Sequence, residues 1–169
     1  FPTRRSSDLY KTNLFMKPIF SQAKKEKKRV VLAEGEEERV LHATQELVTL
    51  GIASPILVGR PDVIEMRLKK LGLQIEAGKD FEIVNNESDP RFNEYWREYY
   101  DIMKRRGVSQ EQARRAVIGN PTLIAAIMLQ RGEADAMICG TIGNYHEHYE
   151  VVHNVFGFRE GAHVAGAMN

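Results

Sequence analysis

Apolar residues fill Pro121 to Gln130 almost without a break, and the run reads as a helix with proline in its first turn. After Gly132-Glu133-Ala134-Asp135, the segment Ala136-Met137-Ile138-Cys139 has the length and polarity of a strand buried on both faces. Gly140 follows, where the chain must leave the sheet. Ligands of open α/β sheets bind beyond the carboxyl ends of the strands, so a site is expected between Gly140 and Glu150.

The same punctuation is legible upstream. Val30-Val31-Leu32 is a strand that runs into the acidic turn Ala33 to Arg39, whose carboxylates favour a helix start. Val40, Leu41, Ala43, Thr44, Leu47, Val48 and Leu50 then recur at helical spacing until Gly51 stops the helix. Ile52 to Val58 is a second strand, and Gly59-Arg60-Pro61-Asp62 opens a second helix, Val63 to Leu71. Strand, helix, strand and helix at these lengths predict a βαβα unit, hence a parallel sheet with right-handed crossovers. Phe81 to Val84 is a third strand. The next helix, Phe92 to Arg106, carries Phe92, Tyr95, Trp96, Tyr99 and Tyr100 mostly on one face, which predicts packing against the sheet or a partner subunit. Gly107 ends it, Ser109 and Gln112 form a capping box for its successor, and Gly119-Asn120-Pro121 leads into the apolar helix. The fold class expected is α/β, a truncated three-layer αβα sandwich with a mostly parallel sheet. Its strands are expected near residues 29–33, 53–58, 81–84 and 136–139.

Composition narrows the classes of function. The 169 residues suffice for one domain with a core, and a net charge of +1 gives no electrostatic reason to expect nucleic acid or an acidic membrane as partner. The single cysteine, Cys139, excludes an internal disulfide and suits a reducing, cytoplasmic compartment. No apolar run reaches the roughly 20 residues that span a bilayer. Residues 1–9 are polar and aperiodic and are expected to be a non-native leader. Residues 10–28, interrupted by Pro18 and ending in the charged run from Lys24, are expected to be a linker or docking segment, and residues 29–169 the domain.

Several chemistries find little support. The turn Glu34-Gly35-Glu36 has one glycine among carboxylates and makes a poor anion cradle, and no G-x-G-x-x-G or Walker loop is present. If Tyr145 to His153 is helical, His146 and Glu150 share a face with His153 beyond them. No H-E-x-x-H motif or cysteine pair completes a metal set, so a polar face opening onto a cleft is the better account.

From Arg29 onward the chain resembles the phosphate acetyl/butyryltransferase family. The resemblance rests on Arg29 to Gly35, Arg39-Val40-Leu41, Gly51 to Gly59, Arg106-Gly107-Val108-Ser109 and Gly132 to Gly140. It covers the first half of such a domain. Asn13 to Phe20, Phe81 to Phe92 and Gly140 to His148 further resemble the phosphotransacetylase-like domain of enterobacterial hybrid NADP-dependent malic enzymes. That resemblance implies a parent in which a separate unit, using NADP and Mg or Mn, converts malate to pyruvate. It implies no cofactor in this segment, acetyl-CoA or CoA as a partner and effector, and assembly into a homo-oligomer.

Departures from the family pattern bear on activity. The transacetylases carry a substrate-contacting Arg four residues before the glycine of their G-[VM]-[ST] helix start, which falls on Met103 here. A second Arg, ten residues after the glycine of their S-G pair, falls on Glu150, and Cys139 replaces the serine of that pair. Phosphate recognition needs such cations. The segment is therefore expected to be regulatory and non-catalytic. The alternatives are a fragment of a working phosphate acetyltransferase, and an oligomerisation piece without a ligand. The cleft residues expected from the family match are Met103, Cys139, Gly140, Thr141, Asn144, His146 and Glu150. A sheet lacking its later strands is expected to leave the isolated chain marginally stable or self-associating.

Overall fold

The computed structural model describes residues 4–165. Of the expected leader, residues 1–3 lie outside the described residues, as do residues 166–169 of the domain. The elements in chain order are α1 (Arg4–Lys25), β1 (Lys28–Leu32), α2 (Glu38–Leu50), β2 (Ala53–Val58), α3 (Pro61–Leu71) and β3 (Glu82–Val84). After them come α4 (Phe92–Met103), a 3-10 turn (Lys104–Arg106), α5 (Gln110–Gly119), α6 (Pro121–Gln130), β4 (Ala136–Ile138) and α7 (Tyr145–Phe156). All strand pairs are parallel, in the order β3-β2-β1-β4.

That order explains the layering. Alternate residues of β1 and β2 face opposite sides, and register pairs Val31 with Ile56 and Leu32 with Leu57. Leu32 and Leu57 pack with Val40, Leu41, Ile64 and Leu68 of α2 and α3. Val31, Ile56 and Val84 pack on the other face with Tyr95, Val117, Val155 and the whole apolar run of α6. Chain growth from β1 to β3 proceeds one way with helices on one face, then β4 adds on the far side of β1 with helices on the other. This is the doubly wound arrangement, and its reversal point lies between β1 and β4. The α6 run is buried nearly all round because α4, α5, α7 and the sheet enclose it.

Local chemistry sets the boundaries. Ser109 accepts from the Gln112 backbone N–H at 3.2 Å while the Gln112 side chain accepts from Ser109 N at 2.8 Å, so the expected capping box is present. The aromatic face of α4 is buried as expected, with Tyr95 enclosed and Phe92, Trp96 and Tyr99 packed partly against the core. Gly35 is required by a close approach: a Cβ there would lie 2.8 Å from both the Leu57 Cβ and the Val58 carbonyl oxygen. Its N–H donates to that carbonyl at 3.0 Å, which fixes the turn leaving β1.

Three readings need correction. Ala136 to Cys139 is not a strand buried on both faces. β4 ends at Ile138 and is an edge strand on which Ala136 and Ile138 are exposed. Its run is apolar, but no described element covers its outer face. The helix beginning at Phe92 ends at Met103, and its last expected turn is 3-10. The segment treated as interrupted at Pro18 is one helix, α1, through Lys25. Pro18 deprives the exposed turn at Leu14 of one backbone donor, while the Ser21 hydroxyl donates to the Lys17 carbonyl at 2.9 Å.

Candidate functional site

At the reversal point, Glu34 follows β1 and Gly140 follows β4. The Glu34 carboxylate accepts the Gly140 N–H at 2.9 Å, joining the two strand ends across 106 residues. Gly140 has φ of 100°, a left-handed value open to glycine, and this turns the chain out of the sheet toward α7. Asn144 caps α7 by accepting from Glu147 N at 3.0 Å. The capped helix returns over the strand ends and delivers His148 to them.

His148 ties three elements together. Its Nε2 lies 2.6 Å from the Ile142 carbonyl oxygen, and since a carbonyl only accepts, Nε2 carries a proton. Its Nδ1 lies 2.9 Å from the hydroxyl of Thr122, which sits buried in the first turn of α6, and 3.8 Å from Glu34. When the imidazole is neutral, Nδ1 accepts from Thr122; when protonated, it presents a cation to Glu34. A cavity of about 540 Å³ opens here, lined by Glu34, Thr122, Ile142, His148, Glu150 and Val151 among others. Surface cavities of about 670 and 700 Å³ lie near the end of α3 and at the amino ends of β2 and β3. Those are the wrong ends of the strands for a site in an open α/β sheet.

The expected site residues fall into distinct positions. Glu150 lines the cleft at its exposed rim, whereas Gly140 does not line it and gives its N–H to the Glu34 carboxylate. Cys139 is half-buried against the core, and burial, with the nearby Glu34 carboxylate, pushes its thiol up, away from the thiolate a nucleophile needs. Thr141 is half-buried beside it. Asn144 serves as the α7 cap. His146 is exposed, two residues from His148 and so on a different face of α7. Met103 is buried at the end of α4, with its sulfur 3.8 Å from Arg106 Nη1.

Among the described residues, no group of three or more His, Cys, Asp or Glu side chains is placed to hold a metal ion. No described helix is long and apolar enough to cross a membrane. Glu34, Thr122 and His148 are cleft residues that the sequence did not name as site residues. The Ala-Glu-Gly turn after a strand was a usable signal for Glu34, but its partner depends on strand order.

This architecture has relatives. Residues 14–169 match the family described as phosphate acetyl/butaryl transferase. The chain is 79% identical over 161 residues to the NADP-dependent malic enzyme of Escherichia coli (strain K12), covering 95% of this chain and 21% of that protein. It is 35% identical over 138 residues to a phosphate acetyltransferase of Nitratidesulfovibrio vulgaris, covering 82% of this chain and 19% of that protein. The chain thus spans about a fifth of the length of these curated relatives. The solved structure of the EutD phosphotransacetylase from Staphylococcus aureus has the same fold, with a TM-score of 0.76 at 22% identity over 88% of this chain and 45% of that one. With the family match extending over nearly the whole sequence and the doubly wound sheet shared with a solved relative, the chain belongs to the phosphate acetyl/butaryl transferase family.

Proposed function

We propose that this chain is the phosphotransacetylase-like part of a cytoplasmic NADP-dependent malic enzyme, and that it binds acetyl-CoA as an effector and promotes homo-oligomer assembly without itself transferring acetyl groups. High identity to proteins of that name supports the parentage. Malate oxidation, NADP and Mg or Mn belong in this reading to a separate unit of the parent.

The observation that carries the non-catalytic assignment is the charge of the cleft. Glu34, Glu147 and Glu150 line it, and Met103 is buried in the core margin where the family pattern has a substrate-contacting Arg. Acetyl transfer between phosphate and CoA brings a thiolate to a phosphorylated acyl donor, so negative charge accumulates and positioned cations are needed. At about 4 Å and an effective dielectric near 20, one unit charge pair is worth roughly 4 kcal/mol. Glu in place of Arg reverses the sign of such an interaction, which solvent in an open cleft weakens. Each 1.36 kcal/mol is about tenfold in rate, so a loss of several orders of magnitude is expected.

The test uses the purified parent protein with acetyl phosphate and CoA, following thioester formation, alongside calorimetry with acetyl-CoA. No turnover above the uncatalysed background, together with saturable acetyl-CoA binding, is the expected result. Turnover comparable to a working transacetylase overturns the non-catalytic reading, and absence of binding overturns the effector reading.

A further inference from the structure

Most arginines with defined partners in this molecule are neutralised by carboxylates. Arg29 pairs with Asp135, Arg60 with Glu36, Arg91 with Asp89, and Arg131 with Glu94, Glu98 and Glu133. Arg106 is held differently. Its Nη1 donates to the Asn154 side-chain oxygen at 2.8 Å and lies 3.8 Å from the Met103 sulfur. Among the described residues, no carboxylate lies within ion-pair distance of it. A neutral amide therefore orients the guanidinium without cancelling its charge. The Nη2 and Nε donors, the edge that grips two oxygens of one anion, have no protein acceptor among the described residues.

The position of this cation is specific. Asn154 and Glu150 are four residues apart on α7 and so share a face. Asn154, which holds Arg106, is thus about 6 Å along the helix axis from Glu150, which lines the cleft. Burial pushes the Tyr99 phenol up, while Arg106 pulls it down and Glu150 pushes it further, so both charges lie within electrostatic reach of one hydroxyl. Inside the cavity the lining is unsuited to phosphate, because Glu34, Glu147 and Glu150 repel it. An uncharged arm suits the cavity better, among Thr122, Asn120, Val151 and His148.

We infer that Arg106 recognises a phosphate of acetyl-CoA at the rim of the cleft, leaving the uncharged acetyl-pantetheine arm to enter the cavity beside Thr122 and His148. This rests on the proposed binding of acetyl-CoA and adds the residue that selects for its phosphates. Asn154 acts as a positioning residue for the guanidinium.

The test measures binding of acetyl-CoA and of acetyl-pantetheine, which lacks every phosphate, to the purified parent protein by calorimetry. Arg106→Met, Arg106→Lys and Asn154→Ala are compared with the unaltered parent protein, and thermal melting confirms that each variant folds. Loss of a charge-assisted contact is expected to weaken acetyl-CoA binding about tenfold to a hundredfold in Arg106→Met. Binding of acetyl-pantetheine should be unchanged by that substitution. Arg106→Lys should recover part of the loss, since it keeps the charge without the fork, and Asn154→Ala should show a smaller loss confined to acetyl-CoA. Equal weakening of both ligands, or no weakening of either, overturns the role of Arg106 while leaving acetyl-CoA binding in place. Failure of the unaltered parent protein to bind acetyl-CoA overturns both this role and the reading beneath it.

Discussion

Tyr95 shows how one side chain couples the core to the surface. Its ring is 1% exposed in the main core, yet its hydroxyl donates to Glu133 at 2.6 Å. Burial, then the Glu133 hydrogen bond, pushes the phenol well above its ordinary range, so it remains a donor. Arg91 and Arg131 lie 6.0 and 5.7 Å from the ring centroid and also bind Glu133, which keeps that carboxylate compensated. Tyr95→Phe retains the packing and removes the charge-assisted bond. It should cost about 1.5 kcal/mol, the low end for a hydrogen bond to a charged group, because Glu133 keeps its two arginines. Urea unfolding with an unchanged m-value checks this. No loss of stability would show the hydroxyl contributes nothing net.

At the scale of elements, β4 is short and exposed, and a polar clamp sets its register. Arg29 donates its backbone N–H to Asp135 at 2.8 Å, and its guanidinium reaches Asp135 Oδ1 at 2.9 Å and the Gly132 carbonyl at 2.8 Å. Asp135 N donates back to the Arg29 carbonyl at 2.9 Å. The Arg29 side chain, followed by its backbone N–H, holds the Asp135 carboxyl down at about 2. A carboxyl depressed on folding adds stability above its unfolded value of about 3.9, and that contribution disappears as pH falls through the folded value. Asp135→Asn should therefore melt at a lower temperature than the unaltered chain at neutral pH. The difference should shrink as the pH falls from about 4 to about 2. Melting curves across that window check it, and a difference independent of pH would mean the clamp acts through geometry alone.

At the scale of the whole molecule, no strand pairs with the outer side of β4 among the described residues. Ile138 on β4 and Ile142 just beyond it are each 55% exposed, next to the strand's unpaired outer edge. Apolar edges of this kind template association, and a lysine on the edge blunts it. The 169-residue chain should associate increasingly with concentration, and Ile138→Lys should shift it toward monomer, as read by light scattering over a dilution series. A monodisperse monomer at high concentration in the unaltered chain would show that this edge is not adhesive.

Local pattern carried much of this protein. The turn residues and helical spacing of residues 38–50, the capping box at Ser109 and the aromatic face of α4 were readable because each depends on neighbours within a few positions. The parallel βαβα beginning was readable for the same reason. Strand order was not, since pairing β4 with β1 instead of β3 leaves no mark in local periodicity. That pairing put β4 at an edge, so an apolar run that matched a buried strand became a half-exposed one. It also brought Glu34 to Gly140 and His148, and the docking of α7 on α4 brought Arg106 to Asn154. His146 and Asn144 were legible as polar residues near a strand end, but helix phase turned the first to solvent and made the second a cap. From β1 to β4, sequence by itself determined which segments become strands and helices, because those choices are decided within a turn or two of chain, whereas the helix running through Pro18 was not legible. The composition of the cleft was decided only by tertiary structure, because its charges come from segments more than a hundred residues apart, brought together by burial of the sheet.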